Sequence, residues 1–266
     1  MGGWRLGERF LMLFSRSPQE SDYGPKSLEV TSDEALVDLR REFPNFDAEI
    51  RGKSILDFGC GIGLQSLALS EGGAGYVLGL DLQEEGLEIA RARARERGVA
   101  PERLEFKTAI PESVQGSFDI VLSKDSFEHF DDPAAILQMM AASLNSDGRI
   151  FITFGPPWFA PYGSHMHFFT KFPWVNVIFS ERTVLNVRNQ FRNDGATRYE
   201  DVQGGLNRMT VKRFETLIAQ SRLNPTWVRL SAVKNLSFLC RLPVVRELFV
   251  NQITSILSPP GPTPSG

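Results

Sequence analysis

The chain has 266 residues, 23% of them charged, a formal net charge of -3 and only two cysteines, Cys60 and Cys240, far apart. That length suits one large α/β domain with room for an insertion. The charge excludes a general nucleic-acid binder, and the cysteines give neither a disulfide framework nor zinc spacing, so a cytoplasmic location is expected.

In chain order, Leu6 to Phe14 is apolar but broken by Glu8 and Arg9, with no small-residue cleavage site after it, which argues against a signal peptide. No run reaches the ~18–20 apolar residues of a membrane span. Trp4, Leu6, Phe10, Leu11, Leu13 and Phe14 mixed with Arg5, Arg9 and Arg16 form an amphipathic helix. Two roles are open to it: a lid packed over the domain, which is favoured, or a peripheral membrane contact. Residues 17–30 are rich in Ser, Pro and Gly and read as a linker. A helix starts at Ser32-Asp33-Glu34, with Ala35, Leu36, Leu39 and Phe43 on one face, and ends at Pro44, leading into the first strand and shielding the ligand side.

Strands and helices then alternate: strand 54–58, helix 63–71, strand 76–80, helix 84–97, strands 103–107 and 118–122, helix 133–144, strand 148–154. Such alternation predicts a parallel sheet with helices on both faces and ligands at the carboxyl ends of the strands. After Gly155-Pro156-Pro157 comes an aromatic-dense stretch that includes Trp158, Phe159, Tyr162, Phe168, Phe169, Phe172, Trp174 and Phe179. A helix is expected over 181–192, a turn at Gly204-Gly205, a helix from Met209-Thr210 to about 221, and two closing strands, 225–233 and 249–257. The Pro-rich tail from Pro259 is expected to be disordered.

The run Ile55-Leu56-Asp57-Phe58-Gly59-Cys60-Gly61-Ile62-Gly63 reads as a buried strand breaking into a glycine turn that opens a helix, and Asp81 closes the next strand. This describes a nucleoside cradle. Glycine takes φ > 0 and leaves backbone bare for a ligand, and the Asp81 carboxylate suits two ribose hydroxyls. A dinucleotide fingerprint, G-x-G-x-x-G, needs a glycine where Leu64 stands, and Asp57 would repel a pyrophosphate. A ligand with a ribose, an ammonium group and no phosphate fits better: S-adenosylmethionine.

Together with Gly79-Leu80-Asp81-Leu82, Ser117–Ser123, Phe127-Glu128-His129-Phe130-Asp131-Asp132-Pro133 and Leu144–Ile150, this run resembles the class I S-adenosylmethionine-dependent methyltransferases that modify small molecules. The resemblance covers about residues 52–155. It implies an α/β, Rossmann-like, seven-stranded and mostly parallel sheet, one of its last two strands antiparallel, with an aromatic-rich cap inserted after strand 5. The organisation expected is N-terminal helices and linker over the cofactor site (1–50), a cofactor-binding core (51–154), a cap (155–203), completion of the sheet (204–257) and a tail (258–266). The resemblance also implies the cofactor S-adenosyl-L-methionine, with Asp57 at its methionine end, Gly59, Cys60, Gly61 and Gly63 as bare backbone, Asp81 on the ribose and Leu82 on the adenine. Thr108 and Ala109, with Glu112 as an alternative, fall at the exocyclic amine, and Ser123 and Lys124 at the methionine moiety.

The expected partner is a small-molecule acceptor rather than nucleic acid. Glu128, His129, His165 and His167 are the candidate bases. An imidazole with pKa near ~6.5 suits removal of a hydroxyl proton, and a carboxylate in an apolar pocket suits carbon methylation. His165 and His167 alternate, so on an extended segment they face the same way. The same pair could ligate a metal, but no third ligand stands at a diagnostic spacing, so none is assigned. Trp158, Tyr162, Phe169 and Trp174 are candidates to line an apolar acceptor pocket. Arg188 and Arg192, on one helix face, would hold an anionic head group, the blander reading being a solvated face. The competing functions are a nucleotide-dependent oxidoreductase and a non-catalytic binder of S-adenosylmethionine.

Overall fold

The computed structural model describes residues 5–18, 30–192, 194–202, 205–234, 236–243 and 245–260. Seven strands form one sheet: β1 (Ser54–Phe58), β2 (Tyr76–Leu80), β3 (Leu104–Lys107), β4 (Phe118–Lys124), β5 (Leu144–Phe154), β6 (Asn224–Ala232) and β7 (Val250–Ser258). Their order is β3-β2-β1-β4-β5-β7-β6. The first five pair in parallel, and β7 runs antiparallel to both of its neighbours. The inner strands are near-continuous apolar runs because helices cover both faces.

On one face, α2 (Ser32–Glu42), α3 (Phe46–Ile50), α4 (Leu64–Glu71) and α5 (Glu84–Glu96) pack over Ile55, Val77, Ile120 and Phe151. On the other, α6 (Pro133–Ser143) and α9 (Val211–Ser221) cover Leu56, Leu78, Val121 and Ile152. The starts of these helices have local causes. The Thr31 hydroxyl accepts from the Glu34 backbone N–H at 3.2 Å while the Glu34 carboxylate accepts from Thr31 N–H at 2.9 Å, a reciprocal cap one residue earlier than Ser32. Asp132 accepts from the N–H groups of Ala134 and Ala135, with Pro133 in the first turn of α6.

A third core lies beside the sheet. It unites Met166, Phe168, Phe169, Val175, Val184, Leu185 and Tyr199 with Leu11 of α1 (Leu6–Leu13). Here α1 packs against α8 (Glu181–Arg188), and the Thr170 hydroxyl donates to the Phe14 carbonyl at 2.9 Å. The N-terminal fifty residues are therefore not one cover over the cofactor side: α1 belongs with the aromatic segment, and α2 lies on α4, where the Ser32 hydroxyl donates to Glu71 at 2.6 Å. Between the aromatic segment's start and α8 comes the short α7 (Val175–Ile178), and α10 (Arg246–Phe249) leads into β7. The expected helix over 181–192 ends at Arg188. Trp4, most of the 17–30 linker, Gly204 and the end of the tail lie outside the described residues.

Candidate active site

Three glycines turn the chain from β1 into α4, each at positive φ: Gly59 (+79°), Gly61 (+53°) and Gly63 (+76°). Their surroundings differ. A Cβ on Gly63 would meet Ala90 at 2.6 Å and Phe106 at 2.8 Å, and one on Gly59 would meet the Ser126 side chain at 2.8 Å. Those two glycines let helix and loop close on the turn. Gly61 alone has nothing within 4 Å on its Cβ side. It is the bare backbone at which a ligand has room.

Asp81 stands at the end of β2 facing that turn. One carboxylate oxygen accepts from Gly61 N–H at 2.8 Å and the other from Gln83 N–H at 2.9 Å. A carboxylate has about four lone-pair sites, so Asp81, half-buried, keeps acceptor capacity for two hydroxyls. Leu82 beside it is an apolar side chain at the rim, 88% exposed. Thr108 and Ala109 follow β3 as exposed bends on the same rim, and Glu112 is exposed beyond them. An open glycine, a carboxylate with spare lone pairs and an exposed leucine fit the ribose and adenine of S-adenosylmethionine.

The four other cofactor positions differ from expectation. Asp57 is buried and accepts from the Ser66 hydroxyl at 2.6 Å. Burial raises its pKa to about 6, against the opposing Ser66 bond and with help from the Asp81 charge. Because it lies within β1 beneath α4, it braces the turn through Ser66 rather than lining open space. The Cys60 side chain is likewise buried, and burial raises its thiol pKa, so it fills space. Ser123 is fully buried inside β4, because the strand continues to Lys124 instead of ending at 122. The Lys124 ammonium donates to Glu42 at 2.7 Å and to Asp125 at 3.0 Å, an ion pair that ties β4 to α2.

The loop after β4 joins this rim. The Ser126 hydroxyl lies 3.0 Å from the carbonyl of Gly59, and the Phe130 ring meets Phe58 edge-on at 5.7 Å. Between them a turn of 3-10 helix carries Glu128 and His129. Glu128 is buried, and one of its oxygens accepts from Gly155 N–H, at the end of β5, at 3.2 Å. Burial, and then the nearby Asp125 charge, raise its pKa to about 8, so at neutral pH it carries a proton. His129 Nδ1 lies 2.8 Å from the Gly205 carbonyl, and its ring meets His165 edge-to-face at 5.4 Å.

His165 and His167 do not face the same way. His165 has φ +55° and caps a 3-10 turn, Met166–Phe168, so the segment is not extended. His165 turns inward to His129, whereas His167 is exposed. The His165 ring hydrogen-bonds the Pro156 backbone. With one ring N–H given to a carbonyl, the other nitrogen is the acceptor of a neutral imidazole; this is Nε2, buried and without a partner among the described residues. Burial, with His129 and His167 nearby, lowers the His165 pKa to about 4. Among the described residues no three His, Cys, Asp or Glu groups could hold a metal.

The acceptor candidates also separate. Phe169 is buried in the third core, stacked on Phe191 at 5.6 Å. Arg188 is 1% exposed and forms a bidentate ion pair with Asp194, so it is neither a solvated face nor a free anion clamp. The Arg192 guanidinium lies over the Phe168 ring at 4.8 Å. Trp158 packs edge-on against Tyr199 at 4.8 Å. Tyr162 is exposed and donates to the Lys171 carbonyl. Trp174, half-buried against Phe249, has an indole N–H without a partner among the described residues.

One organising residue was not foreseen. Asn207 donates through its side-chain amide to the carbonyls of Phe127 (2.9 Å) and Phe130 (2.8 Å) and through its backbone to that of Glu128 (3.0 Å). It clamps the turn bearing Glu128 and His129. Sequence offered no signal beyond its place after a glycine pair.

Residues 56–152 match the methyltransferase domain family. Over those residues the chain carries a methyltransferase domain. This methyltransferase domain is 36% identical over 117 residues to a ubiquinone biosynthesis O-methyltransferase of Neisseria meningitidis, a match spanning 43% of this chain and 49% of that protein. The chain thus spans about half the length of the curated relatives it matches. An S-adenosylmethionine-dependent methyltransferase from Mesorhizobium loti shares the fold, with a TM-score of 0.55 at 20% identity over 86% of this chain and all but 1% of that one. So does a magnesium protoporphyrin IX methyltransferase from Synechocystis with bound S-adenosylhomocysteine (TM-score 0.51, 17% identity, 85% of this chain and 81% of that one). The cofactor of this methyltransferase domain is S-adenosyl-L-methionine.

Proposed function

We propose that the chain is a cytoplasmic enzyme that methylates a hydroxyl oxygen on a small amphipathic acceptor, with His165 as the base. The observation that carries this reading is the Nε2 atom of His165. It is a buried, neutral, unpartnered proton acceptor beside His129, on the same rim as the Gly61–Asp81 cradle. The ubiquinone-biosynthesis O-methyltransferase name of the relatives supports transfer to oxygen and an acceptor with an apolar, isoprenoid-like part.

When bound, the cofactor supplies an electrophilic methyl group. The protein's own contribution is alignment, exclusion of water and removal of a proton. His165 Nε2 would take up the proton that an acceptor hydroxyl gives up on methylation. Pro156 fixes the other ring nitrogen, as a base needs an orienting partner. Glu128, protonated at neutral pH, holds Gly155 and so the neighbouring Pro156 in place. Trp158, Tyr162, Trp174 and Arg192 are the remaining candidates to contact the acceptor.

Calorimetry with S-adenosylhomocysteine and with NADH, followed by mass spectrometry of products from phenols with and without an isoprenoid tail, tests the reading. Micromolar binding of S-adenosylhomocysteine alone and a methyl ether product are expected. Binding of NADH in its place, or cofactor binding with no methylated product across the panel, overturns it.

A further inference from the structure

Helix α1 is built the wrong way round for a helix that serves only its own core. Leu6, Phe10 and Leu13 recur at i, i+4 and i+7, which places them on one face, and that face looks outward: Leu6 is 86% and Leu13 80% exposed, with Phe10 and Phe14 about half exposed. The side that meets the protein holds Leu11 together with a carboxylate, Glu8, which is buried and accepts from the Asn186 amide at 2.6 Å. Exposing a leucine–phenylalanine stripe of this kind to water is costly. It is the arrangement expected where the outward face is covered.

The stripe continues onto the neighbouring segment. The Phe10 ring lies 6.1 Å from Phe179 and 6.2 Å from Phe172, and Ile178, next to Phe179, is 57% exposed. The charges around it are basic. Arg5, at the N-cap of α1, and Arg9 within it are exposed, and Arg182 on α8 is exposed near Glu8. The first sixteen residues hold three arginines and one glutamate in a chain whose net charge is -3, so basic charge is concentrated where the apolar stripe lies. A leucine–phenylalanine stripe flanked by arginines matches an anionic bilayer surface, apolar groups in the acyl boundary and guanidinium groups at phosphates.

We propose that α1, with Ile178, docks this protein on an anionic lipid surface, which would place the acceptor side of the fold beside a lipid-soluble substrate. The docking itself does not depend on the methyltransferase reading, because it is measured without turnover. The test is flotation of the full chain with phosphatidylglycerol-containing vesicles and with pure phosphatidylcholine vesicles, alongside the Leu6→Ser/Leu13→Ser double variant. Both side chains are almost fully exposed, so the variant should fold, which S-adenosylhomocysteine binding checks. The expected result is flotation with anionic vesicles, at least tenfold weaker partitioning to neutral ones, and a further loss of at least tenfold in the variant. An Arg5→Glu/Arg9→Glu variant should lose the anionic preference. No flotation with anionic vesicles at low salt overturns the proposal. So does a dimer in sedimentation analysis that the Leu6→Ser/Leu13→Ser change dissociates while vesicle binding is absent, since the stripe would then be covered by a second copy.

Discussion

His129 and His165 meet edge-to-face with ring centroids 5.4 Å apart, one from the loop after β4 and the other from the aromatic segment after β5. The contact joins the rim that carries Gly61 and Asp81 to the aromatic segment. If His165 Nε2 takes the acceptor proton, His165→Ala should lower kcat by about 100-fold or more, the usual scale of a general base, and leave S-adenosylhomocysteine affinity within about twofold. His167→Ala, on the exposed side, should keep nearly full rate. Single-turnover methylation with calorimetry on the same samples checks both. A His165→Ala enzyme at full rate places the base elsewhere.

The titrations of His165 and Glu128 pull stability in opposite directions. His165 has a folded pKa of about 4, below the unfolded value near ~6.5, so the unfolded chain binds more protons across that window and stability rises with pH through it. His165→Gln should remove this dependence, a gain of at most about 3 kcal/mol at pH 4 relative to pH 7. Glu128 has a folded pKa of about 8, above the unfolded value of 4.5, so the folded chain binds more protons and stability falls as pH rises from 4.5 to 8. Glu128→Gln should therefore raise the melting temperature at pH 9 and change it little near pH 5. Thermal melts of the two variants across pH separate the contributions. The rate profile discriminates as well: with His165 as base, this group leaves kcat level above about pH 5, whereas a base of pKa about 8 would give a rising alkaline limb.

Much of the sheet was legible because strand and helix periodicities differ and buried parallel strands are continuous apolar runs. Strands 54–58 and 76–80 match, and the antiparallel β7 falls within a residue of its expected place. Asp81 at the end of β2 was legible for the same reason, since a strand's end fixes where its next side chain stands. What sequence could not show is which way a side chain turns when its partner is remote. Lys124 follows the strand expected over 118–122, a place that suits either the cofactor's methionine moiety or open solvent, but Glu42 on α2 captures it. The His165–His167 alternation failed because His165 adopts a left-handed conformation, which breaks the period of two. Arg188 reads from its helix face as an anion clamp or a solvated charge, but the chain brings Asp194 back to it.

The glycine turn allows fold and ligand roles to be separated. Gly63→Ala should destabilise the protein by several kcal/mol, because a Cβ there collides with Ala90 and Phe106 and the residue already needs φ +76°. Gly61→Ala meets no neighbour and should cost only the ~1–2 kcal/mol of a left-handed alanine, yet weaken S-adenosylhomocysteine markedly. Asp81→Ala should also weaken the cofactor, by about 1–3 kcal/mol, the scale of losing charged hydrogen bonds. Denaturant melts and calorimetry on the three variants decide the matter. Equal cofactor affinity in the Gly61→Ala protein would mean that the open space beside Gly61 is not the ligand's.

Arg188 gives the sharpest distinction between an acceptor clamp and a structural ion. It is 1% exposed, and its guanidinium is bound by Asp194. The same pairing holds the Asp194 carboxyl down at about 2. Its folded pKa lies below the unfolded 3.8, so this stabilisation is present above pH 3.8 and is lost as pH falls through 2. Removing Asp194 leaves a buried charge without its partner, whereas removing both charges does not. Asp194→Ala should therefore cost about 3 kcal/mol or more, and Arg188→Met/Asp194→Ala together should recover most of that. Neither should alter the KM for an acceptor in protein that remains folded, as measured by steady-state methylation beside denaturant melts. A large KM increase in the well-folded double variant would return Arg188 to the acceptor site.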